Sequence, residues 1–232
     1  MCSQELNITT LDREFLRARA LSVDFAENRE NRAPICVNVH SPPNAAQNAL
    51  VTQYVRIRPL RIEDVPSLFA AAIESIAQLC QWMTWPTMNY SMQECHAFVL
   101  RSINAWEQGE YYTFAIIDVR DGSLLGSIGL NHLNHIHKFA NVGYWVRKTR
   151  TRSGVASAAA LATARFGFGA LRLNRLEFLV PTDNVPSQRV AQRAGARFEG
   201  VLRNRLVLSG MAHDAAVYSL VPGDLPPQAQ PV

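Results

Sequence analysis

Arg150-Thr151-Arg152-Ser153-Gly154-Val155-Ala156, with the alanine-rich run that follows it to Phe168, decides how the rest of the chain is read. Before it, Asn141-Val-Gly-Tyr-Trp-Val-Arg147 has the mix of aromatic and β-branched residues of a strand. After it, Ser157 to Ala164 carries no Pro, Gly or charge, which predicts a helix buried on most sides. A strand, a basic loop with one Gly and a helix that opens in small residues is an arrangement suited to phosphate. The first amides of a helix have no internal partner, and the helix dipole favours an anion beside them. Gly154, Ala156 and Ser157 have little side chain to keep a pyrophosphate off that backbone, and Arg150 and Arg152 add charge and forked donors. By its own chemistry the stretch equally describes a solvated basic loop capping a core helix.

Composition narrows the setting. At 232 residues and 48% apolar content the chain can bury one domain's core with an appendage to spare. Its 23 basic and 19 acidic residues leave a net charge of +4, which suits a small anionic ligand and argues against direct nucleic-acid binding. No apolar run approaches the roughly 20 residues that span a bilayer, so no membrane partner is expected. Leu11 to Arg32 is dense in charge, unlike a signal peptide. Cys2, Cys36, Cys80 and Cys95 have no metal-site spacing and fit reduced thiols in a cytoplasmic protein.

Residues 1–52 read as a poorly ordered or loosely docked extension, 53–222 as the organised domain and 223–232 as a frayed tail. The domain opens on a strand, Tyr54-Val-Arg-Ile-Arg-Pro-Leu60, where Val55 and Ile57 alternate with arginines as on an edge. Ile62-Glu63-Asp64 leads into a helix through Ile76, with the acidic pair placed for its first turn. Trp82 and Trp85 interrupt the pattern beside Pro86, as core filler or as a substrate wall. Ser91-Met-Gln-Glu94 has capping-box spacing and opens a second helix. Two strands, Tyr111 to Asp118 and Leu124 to Leu133, join across Asp121-Gly122. His132 to Lys138 reads as a turn with three histidines but no acidic or Cys partner, so no metal is expected. A strand at Leu173 to Val180, a helix with Pro186 in its first turn, and an antiparallel pair turning at Ser209-Gly210 complete an α+β, or mixed α/β, domain.

Gly143-Tyr144-Trp145-Val146, the loop ending in Gly154-x-Ala156, Asn184-x-x-Ser187 and Val190-Ala191-x-x-Ala194-Gly195-x-x-x-Glu199-Gly200 together resemble the GNAT superfamily of acetyl-CoA-dependent N-acetyltransferases. More narrowly they resemble its RimJ/RimL-like branch, which acetylates ribosomal-protein N-termini. The resemblance spans roughly residues 54 to 222 and implies a mostly antiparallel twisted sheet with about four helices, splayed between Val142–Val146 and Leu176–Val180 to hold acetyl-CoA. It implies that backbone amides of Val146 and of Arg152, Ser153, Gly154, Val155 and Ala156 hold the cofactor with Arg150, that Asn184 bonds the pantetheine, and that Ser187 offers a hydroxyl to the departing sulfur. Trp82, Trp85 and Tyr144 would then line the acceptor site. Direct transfer in a ternary complex without metal is implied, with a homodimer allowed. The acceptor would be a protein N-terminus, or alternatively a small amine or antibiotic. A nonenzymatic acyl-CoA sensor is the reading from another class.

Three positions depart from the family pattern. Thr151 stands where a Gln or Arg heads the phosphate loop, Asn141 where a Glu precedes the Val-Gly-Tyr triplet, and Leu206 where some members carry a Glu used as general base. Glu177 becomes the leading candidate base, with His132, His135 and Asp214 behind it. A weak or missing base favours an acceptor of low pKa. A peptide α-amine near ~7.8 is about one-seventh neutral at pH 7, against about one part in 2,500 for a lysine-type amine near ~10.4.

Overall fold

The structure is a computed structural model and describes residues 50–51 and 54–226. The expected extension lies outside the described residues except for Leu50–Val51, and the expected tail is described only to residue 226. The strands are β1 (Leu50–Val51), β2 (Val55–Pro59), β3 (Tyr112–Asp118), β4 (Leu124–Asn134), β5 (Phe139–Val146), β6 (Arg175–Pro181), β7 (Arg197–Leu208) and β8 (Met211–Leu220). The helices are α1 (Val65–Trp82), α2 (Met92–Gln108), α3 (Val155–Gly169) and α4 (Val185–Arg193). Among the described residues the strands form one sheet in the order β1-β2-β3-β4-β5-β6-β8-β7. Every neighbouring pair is antiparallel except β5 and β6, which run parallel.

Local chemistry accounts for most of the boundaries. The Ser91 hydroxyl accepts from the Glu94 amide at 3.2 Å while Glu94 accepts from the Ser91 amide at 2.7 Å, closing the capping box that starts α2. Gly122, at φ +73°, turns the β3–β4 hairpin. Asp64 differs from expectation. Its carboxylate is engaged by Arg58, at 2.7 and 2.6 Å, and by the Arg61 amide at 2.8 Å, so it ties β2 to the start of α1 and makes no side-chain cap. The histidine turn is also shorter than expected. β4 runs on to Asn134 through a bulge where His132 takes φ +50°. Past β8, Pro222–Asp224 forms a short 3-10 turn whose Asp224 pairs with Arg197 at 2.9 Å.

Strand alternation sorts the core into two layers. Phe114, Ile128, Leu130, Val142, Leu176 and Phe178 face one side, under the alanines of α3. Ala115, Ile117, Leu124 and Trp145 face the other, under α1 and α2. The alanine run of α3 brings its backbone close to the sheet, which sets its N-terminus against the end of β5. β5 and β6 pair only at Phe139↔Arg175, Ala140↔Leu176 and Asn141↔Glu177. Beyond that rung β5 keeps β4 and β6 keeps β8, and no rung joins Val142–Val146 to Phe178–Pro181. The sheet is therefore split along half the length of its parallel pair.

Candidate active site

The basic loop leaves the end of β5 clamped to α1. Glu74 accepts from the Arg147 guanidinium, Nε at 2.9 Å, and from the amide and hydroxyl of Thr149 at 2.9 and 2.7 Å. The buried Ser75 hydroxyl accepts from the Lys148 amide at 2.9 Å. Past the clamp, Arg152 (φ +62°) and Gly154 (φ +82°) are left-handed on either side of Ser153, the alternation that turns successive amides to one side. The Ala158 amide makes the first bond of α3, to the Gly154 carbonyl at 3.0 Å. The six amides from Arg152 to Ser157 have no hydrogen-bond partner among the described residues, and Gly154 adds no side-chain cap. Six unpaired donors at the positive end of a helix form an anion cradle.

The flanking side chains are assigned differently from expectation. Arg150 lies between Asp118 and Asp121, at 3.6 and 3.5 Å, so its charge is committed to the β3–β4 turn. Arg152 has no ion pair among the described residues. The Thr151 hydroxyl donates to the Lys148 carbonyl at 2.9 Å and that of Ser153 to the Arg150 carbonyl at 2.6 Å, so both brace the loop.

The Arg147 guanidinium, followed by Thr149, holds the Glu74 carboxyl down to about 2 from 4.5. A carboxylate whose folded pKa is depressed adds stability above its unfolded pKa and loses it as pH falls toward the folded one. Glu74→Gln is therefore expected to lower the thermal midpoint at pH 7 and to flatten its fall between about pH 5 and 2 relative to the parent. It should also raise the KM for acetyl-CoA several-fold. Thermal melts across that range and one saturation curve check both.

The opening beside the cradle is lined from both strands. The Arg147 amide bonds the Leu125 carbonyl of β4 at 2.7 Å, so alternation turns the Val146 amide the other way, toward β6. Tyr144 crosses the opening, its hydroxyl donating to the Ser187 carbonyl at 3.3 Å, and burial pushes that phenol up to about 12. Asn184 is buried at the N-cap of α4, where its Oδ1 accepts from the Ser187 amide at 3.1 Å. Its Nδ2 and the half-buried Ser187 hydroxyl have no partner among the described residues.

The opposite face of the split carries the acceptor candidates. Trp85 is ringed by Tyr90, Phe98 and Trp145, at 5.1, 6.5 and 6.3 Å between centroids. Trp82 stands half-buried at the end of α1. Tyr144 does not join them. It alternates with Trp145 along β5 and so faces α4 with Ser187. Beyond Trp145, Gly143 pairs with Gly129 to leave a bare floor, then Asn141 pairs with Asn131, then Glu177 with Asn141. A Cβ on Gly129 would come 2.6 Å from the Tyr112 carbonyl, so that position needs glycine.

None of the candidate bases stands as an unengaged carboxylate. Arg175 donates to Glu177 at 2.8 Å and grips Glu199 with both terminal nitrogens, which with the Ser219 hydroxyl holds Glu199 at about 2. Asp214 accepts from the Asn204 amide at 2.8 Å and steadies the bulge in β7. His132 is exposed at its bulge and His135 in the turn beyond. Among the described residues no group of three His, Cys, Asp or Glu side chains could hold a metal ion, and no helix is long and apolar enough to cross a membrane. Glu74, Ser75 and Asn131 are not marked by the sequence alone. The sole signal for the first two was a polar pair in a helix turn otherwise lined by Ala71, Ala72 and Leu79.

Known proteins are similar to this chain in sequence and in fold. The profile of the acetyltransferase (GNAT) domain family matches residues 55–197. A Bacillus subtilis protein named as a ribosomal N-acetyltransferase, YdaF, is 29% identical over 178 residues, which is 74% of this chain and 93% of that one. A solved structure described as a ribosomal-protein-serine acetyltransferase from Vibrio cholerae is 30% identical with a TM-score of 0.67, covering 78% of this chain and 99% of its own. The structure of Mycobacterium smegmatis RimJ with CoA-disulfide is 26% identical with a TM-score of 0.66, covering 75% and 84%.

Proposed function

The chain belongs to the GNAT acetyltransferase family, and from that premise we propose that its acceptor is the N-terminal α-amine of a protein, of the ribosomal kind its relatives are named for. It is an acetyl-CoA-dependent N-acetyltransferase. Bound acetyl-CoA supplies an activated acyl group. The cradle from Arg152 to Ser157 takes its pyrophosphate, and the Val146 amide and Asn184 Nδ2 take its pantetheine. The acceptor comes to the face floored by Gly129 and Gly143. Transfer is direct: the amine's N–C bond forms, the C–S bond breaks, the surplus amine proton leaves to water, and sulfur takes a proton supplied through Ser187. Cys80 and Cys95 are free thiols, which fits a cytoplasmic place of action.

The observation that carries the acceptor class is the engagement of Glu177 by Arg175, with a neutral Asn141 beside it. With no unengaged carboxylate among these candidates, the acceptor must arrive as an amine already partly neutral, as a peptide α-amine is near pH 7. The test is thiol release with N-terminal peptides, spermidine and an aminoglycoside, each followed against pH. For peptides, kcat/KM is expected to rise about tenfold per pH unit and to level at the acceptor amine's own pKa, near ~7.8. Peptides of different amine pKa should move that break with them. A break fixed at one pH for all acceptors would assign it to an enzyme group. Turnover of spermidine without peptides would make this a small-amine enzyme, and cofactor binding without turnover an acyl-CoA sensor.

A further inference from the structure

We propose that Asn131 and Asn141 act as a pair that recognises the acceptor as an α-amino amide. Asn141 Oδ1 accepts an N–H of the attacking amine, and the Asn131 side-chain amide donates to the carbonyl of the acceptor's first residue. This rests on the peptide N-terminus reading above and names the residues that enforce it.

The two asparagines face each other directly across β4 and β5. Asn141 Nδ2 donates to Asn131 Oδ1 at 2.9 Å, so each amide spends one function on the other and both are held in orientation. Asn141 Oδ1 and Asn131 Nδ2 are left without any partner among the described residues. Asn141 Oδ1 is buried without a hydrogen-bond partner. The other such side-chain atoms among the described residues, on Ser102, Ser123 and Thr163, are hydroxyls that can rotate toward a neighbour. A carbonyl oxygen locked by its own amide cannot turn away, so its desolvation is offset when a donor arrives.

The placement suits that donor. Asn141↔Glu177 is the last rung before the sheet opens, so this oxygen stands at the apex of the split, where thioester and amine must meet. Asn131 Nδ2 lies over the bare floor, 3.1 Å from where a Cβ on Gly143 would sit. A peptide N-terminus presents an N–H and a C=O separated by one carbon, which complements one acceptor and one donor side by side. A polyamine presents donors alone and leaves Asn131 Nδ2 unanswered. A carboxamide takes up no proton at these pH values, so Asn141 orients the amine's lone pair and water removes the proton.

The test compares a peptide with an isostere whose first amide is replaced by CH2–O, which removes the carbonyl and keeps a primary amine; because losing the carbonyl raises that amine's pKa, rates are compared per neutral amine. Asn131→Asp, which keeps the oxygen that holds Asn141 and removes the donor, is expected to lower kcat/KM for the peptide by roughly ten- to a hundredfold and to leave the isostere within about twofold, so the preference collapses. Asn141→Leu should lower both substrates by roughly ten- to a hundredfold. Acetyl-CoA affinity should stay within about twofold in both variants, which reports an intact fold. Asn131→Leu also removes the oxygen that holds Asn141 and should lower both substrates. An Asn131→Asp variant that keeps the parent's preference, or loses both substrates equally, overturns the proposal and leaves the peptide reading standing. A parent enzyme that turns over polyamines and no peptide overturns both.

Discussion

Replacing Ser157 with Asp is expected to weaken acetyl-CoA binding about a hundredfold or more while the fold stays as stable as before or slightly more so. Val155 and Ala156 precede Ser157 in the first turn of α3, so its amide is the last of the six unpaired donors. A carboxylate at that helix position complements the dipole and adds about 0.3–1 kcal/mol. The same charge would stand roughly 5–6 Å from a pyrophosphate held by these amides, and each like-charge pair there costs about 3 kcal/mol at an effective dielectric near 20. Stability and affinity therefore move in opposite directions, which a misfolded variant could not mimic. Calorimetric titration of acetyl-CoA with a thermal melt checks both, and Ser157→Asn serves as the neutral control. Binding within threefold of the parent would place the phosphates away from this helix end.

What could be read from the residues beforehand was the part set by neighbours in sequence. The capping box at Ser91, the turn at Asp121-Gly122 and the small residues opening α3 each act over four or five positions, so pattern alone exposes them. The split beyond Asn141↔Glu177 followed from the family resemblance and not from local propensity. What stayed hidden were contacts made across the fold. Glu74 reaches Arg147 from 73 positions away, and nothing around Glu74 marks it as the anchor of the basic loop. Arg150 looked available for the anion because the loop alone does not show that Asp118 and Asp121 flank it in space. Tyr144 and Trp145 are adjacent in sequence, yet period-two alternation sends them to opposite faces, one to Ser187 and one to Trp85. Grouping Tyr144 with Trp82 and Trp85 at the acceptor site overlooks that period.

That separation of faces also decides how Ser187 is tested. Ser187→Ala is expected to lower kcat roughly 10²–10³-fold, the scale of removing one oriented donor from developing negative charge, with the KM for acetyl-CoA nearly unchanged. Two hydrogen bonds and a proline fix the residue without using its hydroxyl. Its amide is held by Asn184 Oδ1 at 3.1 Å, its carbonyl takes the Tyr144 phenol at 3.3 Å, and Pro186 sits in the same first turn. The Ser187 hydroxyl is therefore positioned and unspent. Tyr144, the obvious rival donor, stays protonated because burial raises its pKa to about 12, but its proton is already directed at a carbonyl. Tyr144→Phe should therefore lose the tether alone, about three- to tenfold in kcat for one neutral hydrogen bond. Ser187→Thr keeps a hydroxyl and should recover most of the activity that Ala loses. Were Thr as impaired as Ala, the role of Ser187 would be packing in the first turn of α4. Were Tyr144→Phe the more damaging of the two, the proton would reach sulfur from the phenol, and the Ser187 carbonyl would be its holder between turnovers.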